Sequence, residues 1–140
     1  LIKQQILELF SSRCQQLYLQ ADITPSFLEF IQNPQRKKYI ASGSAQEELR
    51  EVFKIRKLDQ YFDGIYASPS TKSENIKHIL NLENSKNAIM FGYAISDLEA
   101  SLDNQINFIA YRPYSNVPDK LATESQMKGF SVIDQWTELV

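Results

Sequence analysis

The sequence predicts a three-layer α/β fold: a Rossmann-like core with a mostly parallel sheet covered by helices on both faces. Two observations carry that prediction. Apolar runs at residues 38–42, 65–67, 88–92 and 106–111 are apolar nearly throughout rather than alternating, as strands buried on both faces require. Stretches of helical period separate them, and strands alternating with helices indicate parallel crossovers.

With 140 residues and 43% hydrophobic content, the chain is long enough to bury one core. Fifteen basic and seventeen acidic residues leave a net charge of -2, which argues against a nucleic-acid partner held by bulk electrostatics. The densest basic run, Arg36-Lys37-Lys38, is short and reads as a solvated turn before a strand. No apolar run reaches the roughly 20 residues of a membrane span, so no membrane partner is expected. Cys14 has no second cysteine to pair with, which is compatible with a reducing cytoplasmic location.

Taken in order, residues 1–20 place Ile2, Ile6, Leu9 and Phe10 on one helical face, continued by Leu17 and Tyr18. Thr24 and Pro25 restart the chain as a cap and a first helical residue. The helix they open, with Phe27, Leu28, Phe30 and Ile31, stops at Asn33-Pro34. After the strand at residues 38–42, Ser44 and Glu47 form a capping-box pattern for a helix to about Lys57. Residues 58–62 continue as a helical turn, and Asp63-Gly64 turns into the next strand. Helices are expected from Ser73 and from about Ser96 to Leu102. Residues 114–119 read as loop, 121–127 as helix and 130–133 as a last strand.

The chemistry-bearing residues fall at strand ends and helix starts, where open parallel sheets place their ligands. Ser42 and the amides of Gly43 and Ser44 can hold phosphate oxygens. Lys72 supplies a compact positive charge. Asp97 is an acidic group suited to magnesium, and equally to the first turn of its own helix. Beyond a later strand, Tyr111, Arg112 and Tyr114 form an aromatic and basic cluster able to touch a substrate or partner.

In order and spacing, Ser42-Gly43-Ser44, Lys72-Ser73-Glu74-Asn75, and Gly92 with Asp97 resemble the second, third and fourth motifs of the haloacid dehalogenase-like (HAD) phosphohydrolases, of the capped phosphoglycolate-phosphatase-like type. Thr24-Pro25-Ser26 and the segment from Asp59 to Ile65 are similar to the family's connecting segments, so the likeness covers most of the chain. It implies magnesium-dependent hydrolysis of a small phosphorylated molecule through an aspartyl-phosphate. Ser42, Gly43 and Lys72 would then hold the phosphate. Asp97 would be a supporting metal ligand, with position 93 the usual principal one. Residues 1–20 would be the closing helix of a truncated helical cap, and residues 21–140 the core without its first strand.

The chain departs from that pattern twice. Tyr93 puts a neutral phenol, pKa about 10, where the family sets a carboxylate. No strand before Ser42 carries the paired aspartates of the first motif, Asp22 being the only aspartate there. Without the nucleophile the covalent route is closed. Two functions therefore stand side by side: a HAD-like phosphohydrolase seen as an incomplete or inactive chain, and a catalytically dead relative serving as a binding or regulatory module. A receiver-like domain, which also uses a lysine and a serine, fits the order of Lys72 and Asp97 poorly. The absent first strand poses a further problem, because in the family it lies between the strands ending at Ser42 and Gly92. An empty central slot would strand buried backbone groups.

Overall fold

The computed structural model describes residues 6–11, 29–32 and 36–139. Six strands form one parallel sheet: β1 (Leu7–Phe10), β2 (Lys38–Ala45), β3 (Gly64–Ser68), β4 (Ala88–Gly92), β5 (Asn107–Tyr111) and β6 (Ser131–Ile133). Their order is β3-β2-β1-β4-β5-β6, and every pairing is parallel. Besides a helical stretch at residues 29–31, the helices among the described residues are α1 (Gln46–Ile55), α2 (Lys72–Glu83), α3 (Ile95–Asp103) and α4 (Pro118–Met127). Short 3-10 turns span Asp59–Tyr61, Arg112–Tyr114 and Trp136–Leu139.

Side chains alternate across each strand, so the sheet builds one core on each face. Leu7, Leu9, Tyr39, Ala41 and Met90 meet Ile76 and Ile79 of α2, Leu98 of α3 and Leu121 of α4. On the other face Phe10, Ile40 and Phe91 meet Leu49 and Phe53 of α1, Ile31 and Trp136. Phe10 stacks on Phe91 with ring centroids 4.9 Å apart and planes at 14°. Edge strand β3 is closed off by α1: Arg50 donates twice to the Ile65 carbonyl, and Gln46 accepts from the Ala67 N–H.

The central strand corrects the sequence reading. Leu7–Phe10 is a strand and not a helix, and it fills the slot expected to be empty, with Leu9 opposite Tyr39 on one side and Met90 on the other. A four-residue apolar run fits either period, and burial between two partners decides it. Glu8 is an unusual residue for a central strand, where a carboxylate is rare. It is buried there beside Lys38, its register partner, and bonded to Arg36 Nη1 at 3.2 Å. Burial raises its pKa, against the opposing pull of Arg36 and Lys38. The remainder of the supposed cap helix, and the expected cap at Thr24-Pro25, lie outside the described residues.

Smaller differences have local causes. β2 runs on to Ala45 through an irregular register with β3, so α1 starts at Gln46 and the Ser44–Glu47 capping box does not form. The box appears instead on α2, where Thr71 Oγ1 accepts from the Glu74 N–H and the Glu74 carboxylate accepts from the Thr71 N–H. Pro118 opens α4 inside the segment read as loop, because a proline suits the first turn, where no N–H is needed.

Candidate functional site

All six strands send their carboxyl ends to one edge, and the order of connection reverses between β1 and β4, the place where such sheets open a ligand crevice. Ser11 follows β1, Gly92 ends β4, and Ser42 and Gly43 lie on the last turn of β2. Lys72 is the first residue of α2, and Ser96 and Asp97 belong to the first turn of α3.

Asp97 organises the centre of this edge. It is fully buried, and its Oδ2 accepts from the N–H groups of Tyr93 at 3.1 Å and Ala94 at 3.0 Å. Those amides belong to the turn before α3, so the carboxylate satisfies donors that a helix start otherwise leaves unpaired. Its Oδ1 lies 2.7 Å from Lys72 Nζ. The lysine also donates to Ser96 Oγ at 2.9 Å and keeps about a fifth of its side chain in solvent.

One glycine makes room for this arrangement, and a second lies against it. A Cβ on Gly92 would stand 2.5 Å from Asp97 Cβ and 2.8 Å from Oδ2, so only glycine lets the carboxylate fold over the strand end. A Cβ on Gly43 would meet Lys72 Cε at 3.6 Å, an ordinary contact that places the β2 turn against the lysine stem. Ser68 Oγ donates to the Gly43 carbonyl at 2.9 Å and fixes that turn. Ser42 is fully buried, and its Oγ accepts from the Ser44 N–H at 3.1 Å.

The structure thus brings Gly43, Lys72, Ser96 and Asp97 into one constellation, with Ser42 behind Gly43. Tyr93 differs from a ligand in more than charge. It is buried, and its ring turns edge-on toward Tyr114, with centroids 6.3 Å apart and planes at 83°. The sequence reading missed Ser96 as the lysine's second partner, and it missed Ser11 altogether. Ser11 continues the β1 ladder through its N–H to the Phe91 carbonyl at 2.9 Å. Its Oγ is buried without a hydrogen-bond partner. The available signal was a hydroxyl directly after an apolar run, the same pattern that pointed to Ser42.

These residues do not fit a magnesium ion. Magnesium takes hard oxygen ligands in octahedral array, normally with carboxylates among them. One oxygen of Asp97 is on an ammonium and the other on two amides, while positions 93 and 11 offer a phenol and a hydroxyl. Among the described residues no group of three or more His, Cys, Asp or Glu side chains is gathered. What remains is a lysine among hydroxyls, groups suited to an anion, while the amides of Tyr93, Ala94 and Ser44 are already taken by Asp97 and Ser42.

No family model and no curated protein matches the chain. Solved structures do. A haloacid dehalogenase-like family hydrolase from Streptococcus pneumoniae superposes with TM-score 0.72 at 18% identity, over 83% of this chain and 57% of that one. The core domain of a candidate phosphoglycolate phosphatase from the same species gives TM-score 0.69 at 17% identity, over 98% of this chain and 93% of that domain. A candidate HAD-hydrolase from Bacillus subtilis, solved bound to magnesium, gives TM-score 0.63 at 14% identity, over 83% and 54%. The chain spans somewhat over half the length of the first of these. Its six-stranded parallel sheet, flanked by helices, is the α/β fold of the haloacid dehalogenase-like hydrolase core.

Proposed function

We propose that this chain binds a small phosphorylated molecule at the carboxyl edge of its sheet and does not hydrolyse it, as a metal-independent, catalytically silent relative of the HAD-like phosphatases. The observation that carries this reading is the central strand. β1 occupies the slot in which the resemblance sets the nucleophile, and it ends in Ser11 rather than in a carboxylate. A serine hydroxyl needs a base to attack phosphorus, and Ser11 Oγ bonds to none. With Tyr93 at the other carboxylate position, neither the aspartyl-phosphate nor the metal has its residues.

The lysine and hydroxyls suited to an anion are retained by contrast. Lys72 is aimed by Asp97 and Ser96, while Ser11, Ser42 and the Gly43 turn supply hydroxyl and amide donors. Regulation by a phosphorylated metabolite follows from the same parts, with the bound state as the signal. No helix among the described residues is long and apolar enough to cross a membrane, and a reducing cytoplasmic setting belongs to this proposal.

The test pairs turnover with binding. The purified chain is assayed with a generic aryl phosphate with and without magnesium, and titrated calorimetrically with inorganic phosphate. The expected result is no turnover in either case and phosphate binding in the millimolar range. Metal-dependent turnover overturns the silent assignment, and no phosphate binding overturns the site.

A further inference from the structure

We infer that the phosphoryl group taken by this site is carried on a planar aromatic group, which lies against Tyr114 at the lip of the cleft. The inference rests on the phosphoryl-binding reading above and names its ligand class. A row of four rings links the core to the turn before α3. Trp136 stacks on Tyr111 at 4.8 Å and 24°, Tyr111 meets Tyr114 at 4.9 Å and 74°, and Tyr114 meets Tyr93 at 6.3 Å and 83°.

The inner members, Trp136, Tyr111 and Tyr93, are buried, whereas Tyr114 is 38% exposed. The backbone of the row's last member, Tyr93, is tied to the site. The Tyr93 N–H is held by the same carboxylate that aims Lys72. An anion on Lys72 whose organic substituent extends toward this row meets an aromatic surface.

The lip does not select by charge. The one cation of the β5 loop, Arg112, is engaged by both oxygens of Asp134, at 2.6 and 2.8 Å. Tyr114 presents its ring from a 3-10 turn braced by two other tyrosines, so little rotational freedom is lost on contact. A short acyclic phosphate gains little from such a lip, whereas a flat ring gains an aromatic pair.

The experiment titrates the chain calorimetrically with inorganic phosphate, glycerol phosphate and phenyl phosphate, in the unmodified protein and in Tyr114→Ala and Tyr114→Phe. Phenyl phosphate is expected to bind roughly three- to tenfold tighter than glycerol phosphate, the worth of one aromatic pair. That ratio should fall toward one in Tyr114→Ala and persist in Tyr114→Phe. Equal affinities in the unmodified protein, or a ratio that survives Tyr114→Ala, overturn the aromatic preference and leave the phosphoryl site standing. If inorganic phosphate also fails to bind, the phosphoryl-binding reading falls as well.

Discussion

Asp97→Asn is the substitution that most directly probes how the site is held. The carboxylate makes two amide bonds at 3.0 and 3.1 Å and an ion pair at 2.7 Å, all from a buried position. Asparagine can keep an oxygen on the amides, but its nitrogen then faces Lys72 Nζ, donor against donor. Breaking a fully buried pair costs about 3–5 kcal/mol. Lys72 is partly exposed and can turn to water, which reduces that share to about 2 kcal/mol. Converting two charge-assisted amide bonds to neutral ones adds about 1 kcal/mol. The expected loss is thus about 3 kcal/mol, a large fraction of the ~5–15 kcal/mol typical of a domain.

Urea unfolding reads this as a lower midpoint at unchanged slope. Lys72→Met leaves the buried carboxylate without its cation, and the double variant removes both charges. The double variant should therefore cost less than the two single losses together, by about 2 kcal/mol. A loss below about 1 kcal/mol for Asp97→Asn, or strict additivity in the cycle, refutes the ion pair as the site's fastening.

Gly92→Ala should cost about as much as Asp97→Asn, since its methyl would displace the same carboxylate; a folded variant of unchanged urea midpoint would contradict the close packing. Thr71→Ala should cost about 1 kcal/mol by uncapping α2, seen in the same unfolding curves, and an unaltered midpoint would count against that cap. Glu8 gives a pH signature. Its folded pKa is raised by burial above the ordinary 4.5, so the stability it contributes is complete below that value and lost as pH rises through the folded pKa. Glu8→Gln should therefore compare more favourably with the unmodified chain at about pH 7.5 than at about pH 4 in thermal melts, and the reverse trend would refute the assigned burial effect.

The fold was legible because five of the six strands are short apolar runs bounded by hydroxyls, glycine or proline, and a parallel sheet leaves them little choice. β1 was not. Four residues carry too little periodicity to separate strand from helix, and Glu8 points the wrong way until Arg36 and Lys38, from a distant part of the chain, supply its partners. The site divided along the same line. Gly43, Lys72 and Asp97 sit in motifs whose spacing shows in the sequence, and the structure brings them together. Ser11 carried the same hydroxyl-after-apolar signal as Ser42, but its meaning depends on where β1 lies. The Ser44 cap failed because β2 continues past Ser42, a decision made by pairing with β3 through Ala45 and Ser68.

The absent carboxylates and the misfit of magnesium are two sides of one charge balance. In the pattern this chain resembles, magnesium brings two positive charges to a pocket that holds carboxylates at the end of the central strand and at position 93. Ser11 and Tyr93 replace two of those carboxylates, and the loss of their charges offsets the loss of the ion's two positive charges. A phosphate dianion loses its divalent partner and also the repulsion of two anions. Restoring the carboxylates should reverse this. Ser11→Asp with Tyr93→Asp is expected to lower the melting temperature in the absence of metal, because two unpaired anions then crowd Asp97. Magnesium should raise it again, by the equivalent of about 2.7 kcal/mol at a hundredfold excess over its dissociation constant. The unmodified chain should melt at the same temperature with or without magnesium. A magnesium-dependent rise in the unmodified chain equal to that of the double variant would mean that the phenol and the hydroxyl do not exclude the ion, and the charge argument would fail.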